Sequence, residues 1–209
     1  DPKAQTNSEP WFYKAKIYAN LAKTHPDDST LFPAAFEAMK TYLKLEEKQP
    51  ENKRYLLSTL EGSKTVFDFY SESFKSGADA FNKKNYQKAL NNFERTLDAF
   101  DVLKQYKFTT ATFDTTSVLY SGVAAEQLKN KELAVKYYSM LADRKIPDTT
   151  FSGIYEYIVN YYTLGKDMAN ARKYLTIGEE VFPKNDRWLA YELELVGVDK
   201  SQKISKYRE

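Results

Sequence analysis

The sequence predicts an all-α chain built from antiparallel helix hairpins, on three observations. Apolar residues recur at helical spacing on both sides of a short polar turn. Phe74, Gly77, Ala78 and Phe81 precede Asn82-Lys83-Lys84-Asn85, and Tyr86, Ala89, Leu90, Phe93 and Leu97 follow it. Small residues, Gly77 and Ala89, stand where two packed helices would cross, with aromatics filling the seam around them. The arrangement then returns twice, as Gly122, Ala125, Leu128, Ala134, Tyr138 and Leu141, and as Tyr161, Leu164, Gly165, Ala171, Tyr174, Leu175 and Pro183. The second-helix alanines Ala89, Ala134 and Ala171 are 45 and 37 residues apart.

In chain order, residues 1–9 read as a linker. Ser8 and Pro10 signal the start of a helix carrying Trp11, Ala15, Tyr18 and Ala22. After the loop at 24–28, Ser29 or Thr30 is expected to cap a second helix. It aligns Phe32, Ala35, Phe36, Met39, Tyr42 and Leu43, and Pro50 stops it. Residues 10–50 thus form a degenerate hairpin. A short helix is expected over 52–61, with Tyr55, Leu56 and Leu60 on one side, and Gly62-Ser63 breaks it. Helices over 64–83 and 86–104 complete an extended repeat spanning 52–107. The next repeat, 113–143, pairs 115–128 with 131–142. In the following one, 149–183, Asp148 or Thr149 caps a helix bearing Ile154, Tyr157, Ile158 and Tyr161. Beyond Pro183, Asp186 precedes a helix with Trp188, Leu189, Tyr191, Leu193 and Val196. Asp199 with Gln202 three residues on reads as a capping box for one more helix, making 186–209 an incomplete terminal hairpin. A longer parent protein is expected, because an array normally closes with a polar capping repeat.

Bulk properties narrow the functional classes. Lys and Arg total 31 against 29 Asp and Glu, without a long block of one sign, so nucleic acid is not an expected partner. No apolar run reaches the length of a membrane span, and membrane insertion is not expected. Aromatics are 15% of the chain, led by 17 tyrosines, which suits helix seams that need bulk with a polar tip. Cysteine is absent, which excludes disulfides, thiolate catalysis and Cys-ligated zinc. It leaves the compartment open; an exported, periplasmic or envelope-associated location is favoured over the cytoplasm.

The repeat resembles the tetratricopeptide repeat (TPR). A small residue in the first helix, an aromatic after the turn, and alanine, aromatic and leucine on the second helix match that motif, whose usual period is about 34 residues. The repeat signature falls on Gly77, Ala89, Gly122, Ala134, Ala171 and Pro183. Its longer period here places extra residues at 100–116 and 143–150. The resemblance implies a right-handed α-solenoid, a TPR-like superhelix, and Asp1-Pro2 resembles the Asp-Pro ending of a preceding repeat. It also implies a concave face lined by the first helices, placing Phe74, Phe81, Asn82, Tyr120, Glu126, Gln127, Tyr162 and Thr163 there as peptide-binding residues. Where related arrays grip a C-terminal carboxylate with lysines and asparagine, this chain has Phe74, Ala78 and Tyr120, so that clamp is not expected.

No catalytic constellation is legible. His25, the single histidine, lies in a polar loop and reads as solvated. Asp27 and Asp28 read as capping groups, since the EF-hand spacing does not follow. Glu46-Glu47 and Glu179-Glu180 are neighbours on helices, where side chains diverge. The expected function is a non-catalytic scaffold, without cofactor or metal, that binds a protein or peptide segment. The alternatives are a structural spacer of a larger cell-envelope assembly and a regulatory module of a multidomain protein.

Overall fold

The computed structural model describes residues 7–25, 28–53, 61 and 63–206. Among them the longer elements are all α-helices: α1 (Glu9–Thr24), α2 (Leu31–Glu46), α3 (Ser63–Asn82), α4 (Tyr86–Gln105), α5 (Thr115–Gln127), α6 (Lys131–Ala142), α7 (Ser152–Leu164), α8 (Met168–Val181) and α9 (Arg187–Lys206). Short 3-10 turns lie at Glu51–Lys53 and Thr149–Phe151. The helix expected over 52–61 and most of the linker over 1–9 fall largely outside the described residues. Among the described residues no helix is long and apolar enough to cross a membrane.

Neighbouring helices pack in pairs, α1 with α2, α5 with α6 and α7 with α8. The chain divides into two compact units. One holds the residues up to Asp79 together with Asn92–Asp114, and the other holds Ala80–Asn91 and the residues from Thr115 onward.

The core of the first unit is aromatic. Phe12 of α1 meets Tyr42 of α2 with ring centroids 5.1 Å apart, and Phe69 of α3 stands edge-on to Phe32 and Phe36. Met39, Leu43, Val66, Ala99 and Leu103 close around them. Apolar groups removed from water at such helical spacing select these faces over others. In the same unit the Phe93 ring lies on Gly77, where an added Cβ would come within 2.8 Å of it, and meets Phe74 at 5.8 Å. The small residue at the crossing therefore admits the ring, as the sequence pattern requires. At the start of α1, Ser8 occupies the capping position but its hydroxyl donates to the buried Glu46 carboxylate instead. The α2 start differs from expectation in a similar way. Neither Ser29 nor Thr30 caps with its side chain; Asp28 takes the Thr30 N–H at 2.9 Å and the Thr30 hydroxyl at 2.6 Å.

In the second unit Ala89, Ala134 and Ala171 are fully buried, and α9 packs on α8 and α7. Trp188 and Leu195 form the inner face of α9. Asn185 accepts the first amide of α9, from Arg187 at 3.1 Å. Asp148 caps ahead of α7, as expected, accepting from Thr150 N–H at 2.9 Å. Pro183 follows the Phe182 cap of α8, where a residue without an N–H ends the helix. One correction concerns the C-terminal segment. α9 runs without interruption through Asp199, so no new helix begins there. A capping box is a local pattern, and mid-helix the same residues simply continue the turn.

The turns share a device that the sequence reading missed. The non-glycine residues with positive φ, among the described residues, are all lysines: Lys84 (58°), Lys107 (56°), Lys129 (60°), Lys145 (50°) and Lys166 (59°). After Lys84, Lys107, Lys129 and Lys166 the next amide reaches back to a helical carbonyl: Asn85 to Ala80, Phe108 to Leu103, Asn130 to Ala125 and Asp167 to Tyr162, at 2.8–3.0 Å. This is the helix-ending motif normally built on glycine. At three turns the following residue caps the next helix at once. Asn85, Asn130 and Asp167 accept from Lys88, Leu133 and Asn170 N–H at 3.1–3.2 Å. The left-handed conformation disfavours a residue with a Cβ by about 1–2 kcal/mol, partly offset by the greater entropy a glycine loses on folding. Lys84→Gly, Lys129→Gly and Lys166→Gly are therefore each expected to stabilise by about 0.5–1 kcal/mol. A urea midpoint lower than wild type in all three would count against this account of the turns.

Candidate functional site

The residues expected on the first-helix surface separate when placed. Phe74 belongs to the first unit and is half-buried against Phe93. Phe81, at the end of α3, meets Tyr120 of α5 edge-on at 5.5 Å and Tyr86 at 5.4 Å. Tyr120 is 37% exposed, and Asn82 and Gln127, which close α3 and α5, are open to solvent. In the second unit, then, Phe81 and Tyr120 make an aromatic contact between α3 and α5, and the two amides are exposed at the ends of the same helices.

Others turn inward. Thr163 is buried and its hydroxyl donates to the Val159 carbonyl at 2.8 Å, so it presents no surface to a partner. A threonine in a helix interior meets the carbonyl four residues back, and here the seam covers it. Tyr162 is half-buried and stacks on Tyr174 of α8, 5.9 Å apart with planes 3° from parallel. Beyond Tyr174, Lys173 Nζ donates to Asp143 at 2.8 Å and to the Tyr174 hydroxyl at 3.2 Å.

Glu126 sits in the last turn of α5, half-buried, and accepts the Tyr138 hydroxyl at 2.6 Å. Tyr138 of α6 stands perpendicular to Tyr157 of α7 at 5.3 Å. Sequence reasoning assigned Tyr138 and Tyr157 to helix packing stripes and did not connect either with Glu126. The helical spacing of Tyr157 and Tyr161 was visible, but the proximity of Tyr157 to Glu126 depends on how α7 docks.

A second surface also went unrecognised. Leu189, Leu193 and Val196 of α9 are 64%, 66% and 43% exposed, at spacings of four and three residues on one face. The sequence had grouped them with Trp188 in a single apolar set. Leu193 and Val196 edge a groove of about 300 Å³ between α8 and α9, beside Glu179 and Glu192. Burial raises the Glu179 carboxyl above its usual range, and the charge of Glu192 adds to this. In the first unit, α1 carries a comparable exposed stripe of Tyr13, Ile17 and Leu21.

His25 lies at the end of α1, its Nδ1 2.9 Å from Thr24 Oγ1 and 3.2 Å from the Leu21 carbonyl. Among the described residues no group of three or more His, Asp or Glu converges as a metal site would require.

The tyrosine seams carry a pH consequence. Burial holds the hydroxyls of Tyr138, Tyr155, Tyr157, Tyr162 and Tyr191 above their ordinary value, Tyr155 at about 12. Because the folded chain binds these protons more tightly than the unfolded chain, their contribution is complete below about pH 10 and is lost as pH rises beyond it. In an alkaline titration, part of the phenolate absorbance should therefore emerge together with loss of helical circular dichroism. Full ionisation near pH 10 with helicity intact would contradict this.

No protein-family model matches the chain, and no characterised protein matches it in sequence.

Proposed function

We propose that this chain is a non-catalytic, TPR-like interaction scaffold that holds a peptide or protein segment on the surface formed by the first helices of its hairpins. The observation that carries this reading is the contact of Phe81 with the partly exposed Tyr120 across two successive first helices, with Asn82 and Gln127 exposed on the same two helices. Aromatic faces bordered by amides supply apolar contact together with donors and acceptors for a backbone, and paired helices hold them in place before a ligand arrives. Such a site needs neither metal nor cofactor, and the reading assigns no chemistry to His25. The test is affinity capture by the wild-type protein and by a Phe81→Ala, Tyr120→Ala double variant of unchanged helicity. A partner held by the wild type and lost by the variant supports the reading; equal capture by both rejects it.

The exposed stripes on α1 and α9 favour a second reading, a spacer segment packed within a larger assembly. A Leu189→Gln, Leu193→Gln variant that folds normally but no longer enters a complex, with the Phe81 and Tyr120 variant unaffected, would select the spacer over the peptide receptor.

A further inference from the structure

We infer that Glu126, with Tyr138 and Tyr157, is a receptor for one cationic side chain, a lysine or arginine carried by the segment that the scaffold binds. The inference rests on the interaction reading above and names the chemistry of the partner. Glu126 lies one residue from the end of α5, where the helix dipole places its negative end. A carboxylate there is disfavoured by the helix, whereas a cation is attracted by both. The Tyr138 hydroxyl engages Oε2 of Glu126, and among the described residues no lysine or arginine forms an ion pair with it. Lys129, three residues on, donates its backbone N–H to the Glu126 carbonyl at 2.8 Å, but its side chain makes no ion pair with the carboxylate.

The tyrosines complete the arrangement. The Tyr138 and Tyr157 rings meet at 86°, and Tyr157 is only half-buried beside Tyr161, one turn further along α7. Tyr138, 3% exposed, orients the carboxylate from beneath, and the half-buried Tyr157 is the ring whose quadrupole would attract a cation in addition to the ion pair. The field of Glu126 reaches Tyr157, adding to the burial that holds its hydroxyl proton. An acidic ligand would meet repulsion from the carboxylate and from the helix end together, so selectivity runs opposite to that of a carboxylate clamp.

The test is selection of a random peptide display library on the wild-type protein, followed by binding of the selected peptides to Glu126→Gln and Tyr157→Leu variants. Glu126→Gln keeps an acceptor for Tyr138, and circular dichroism checks that both variants fold. The expected result is enrichment of a lysine or arginine at one position, with affinity about tenfold weaker for either variant. Replacing that residue by norleucine or citrulline in the peptide should produce the same loss on the wild type and little further loss on Glu126→Gln. Selected peptides without a basic residue that lose affinity for the Phe81→Ala, Tyr120→Ala variant would overturn the cation receptor and leave the scaffold reading standing. Basic peptides that bind Glu126→Gln as well as wild type would also overturn it. Failure to enrich any peptide would overturn both.

Discussion

Trp188→Ala is expected to destabilise the second unit by about 3–5 kcal/mol, the range for removing a large buried aromatic. The indole is 4% exposed and lies against Gly178, where an added Cβ would come within 3.0 Å of the ring. Its Nε1–H donates to the Phe182 carbonyl at 2.9 Å, and Phe182 in turn stands edge-on to Tyr155 at 5.4 Å. Removal would open a cavity beneath α9 and leave that carbonyl without its indole donor. Trp188→Phe keeps most of the apolar volume and should lose less, chiefly the hydrogen bond, worth about 1 kcal/mol. Urea unfolding followed by circular dichroism measures both. A midpoint for Trp188→Ala equal to that of Trp188→Phe would show that the ring does not anchor α9.

Gly122→Ala should cost about 1–3 kcal/mol, although helix propensity alone favours alanine by about 1 kcal/mol. The two effects have opposite sign, and geometry decides between them. A Cβ on Gly122 would fall 2.5–2.6 Å from the Tyr138 ring. That ring is held at one end by the hydrogen bond to Glu126 and meets Tyr157 on its flank, so its room to retreat is limited. Gly153, in the first turn of α7, has nothing within 4 Å of its added Cβ, and Gly153→Ala should stabilise by about 0.5–1 kcal/mol. If thermal unfolding ranked both variants above wild type, close packing at the α5 and α6 crossing would be excluded.

The sequence by itself determined helices α1 to α8 and the hairpins they form, though not the uninterrupted run of α9. Phe93, Tyr138 and Leu175 follow Ala89, Ala134 and Ala171 at one helical turn, so each second helix carries a small and a large residue on one stripe. Gly77 and Gly122 supply the gaps for the first two rings. Periodicity is a local property, and these positions are set by a 3.6-residue turn whatever lies around them. The capping residues Asn85, Asn130 and Asp167 stand four residues before the buried alanines and were equally present in the text of the chain.

Tertiary structure alone decided which apolar residues are removed from water. α9 carries Trp188 and Leu195 on one face and Leu189, Leu193 and Val196 on another, and only the docking of α8 and α7 selects the first set. Thr163 and Tyr162 are helical neighbours read as surface, yet packing against the rest of the unit buries one and stacks the other on Tyr174. The left-handed lysines likewise arise because hydrogen bonds at the helix ends outweigh the strain of a Cβ at positive φ. Glu126, Tyr138 and Tyr157 come from three helices, and a juxtaposition of that kind has no linear signature. Burial and juxtaposition depend on the relative placement of whole helices, which is set by the summed packing of many side chains rather than by the pattern in any one segment.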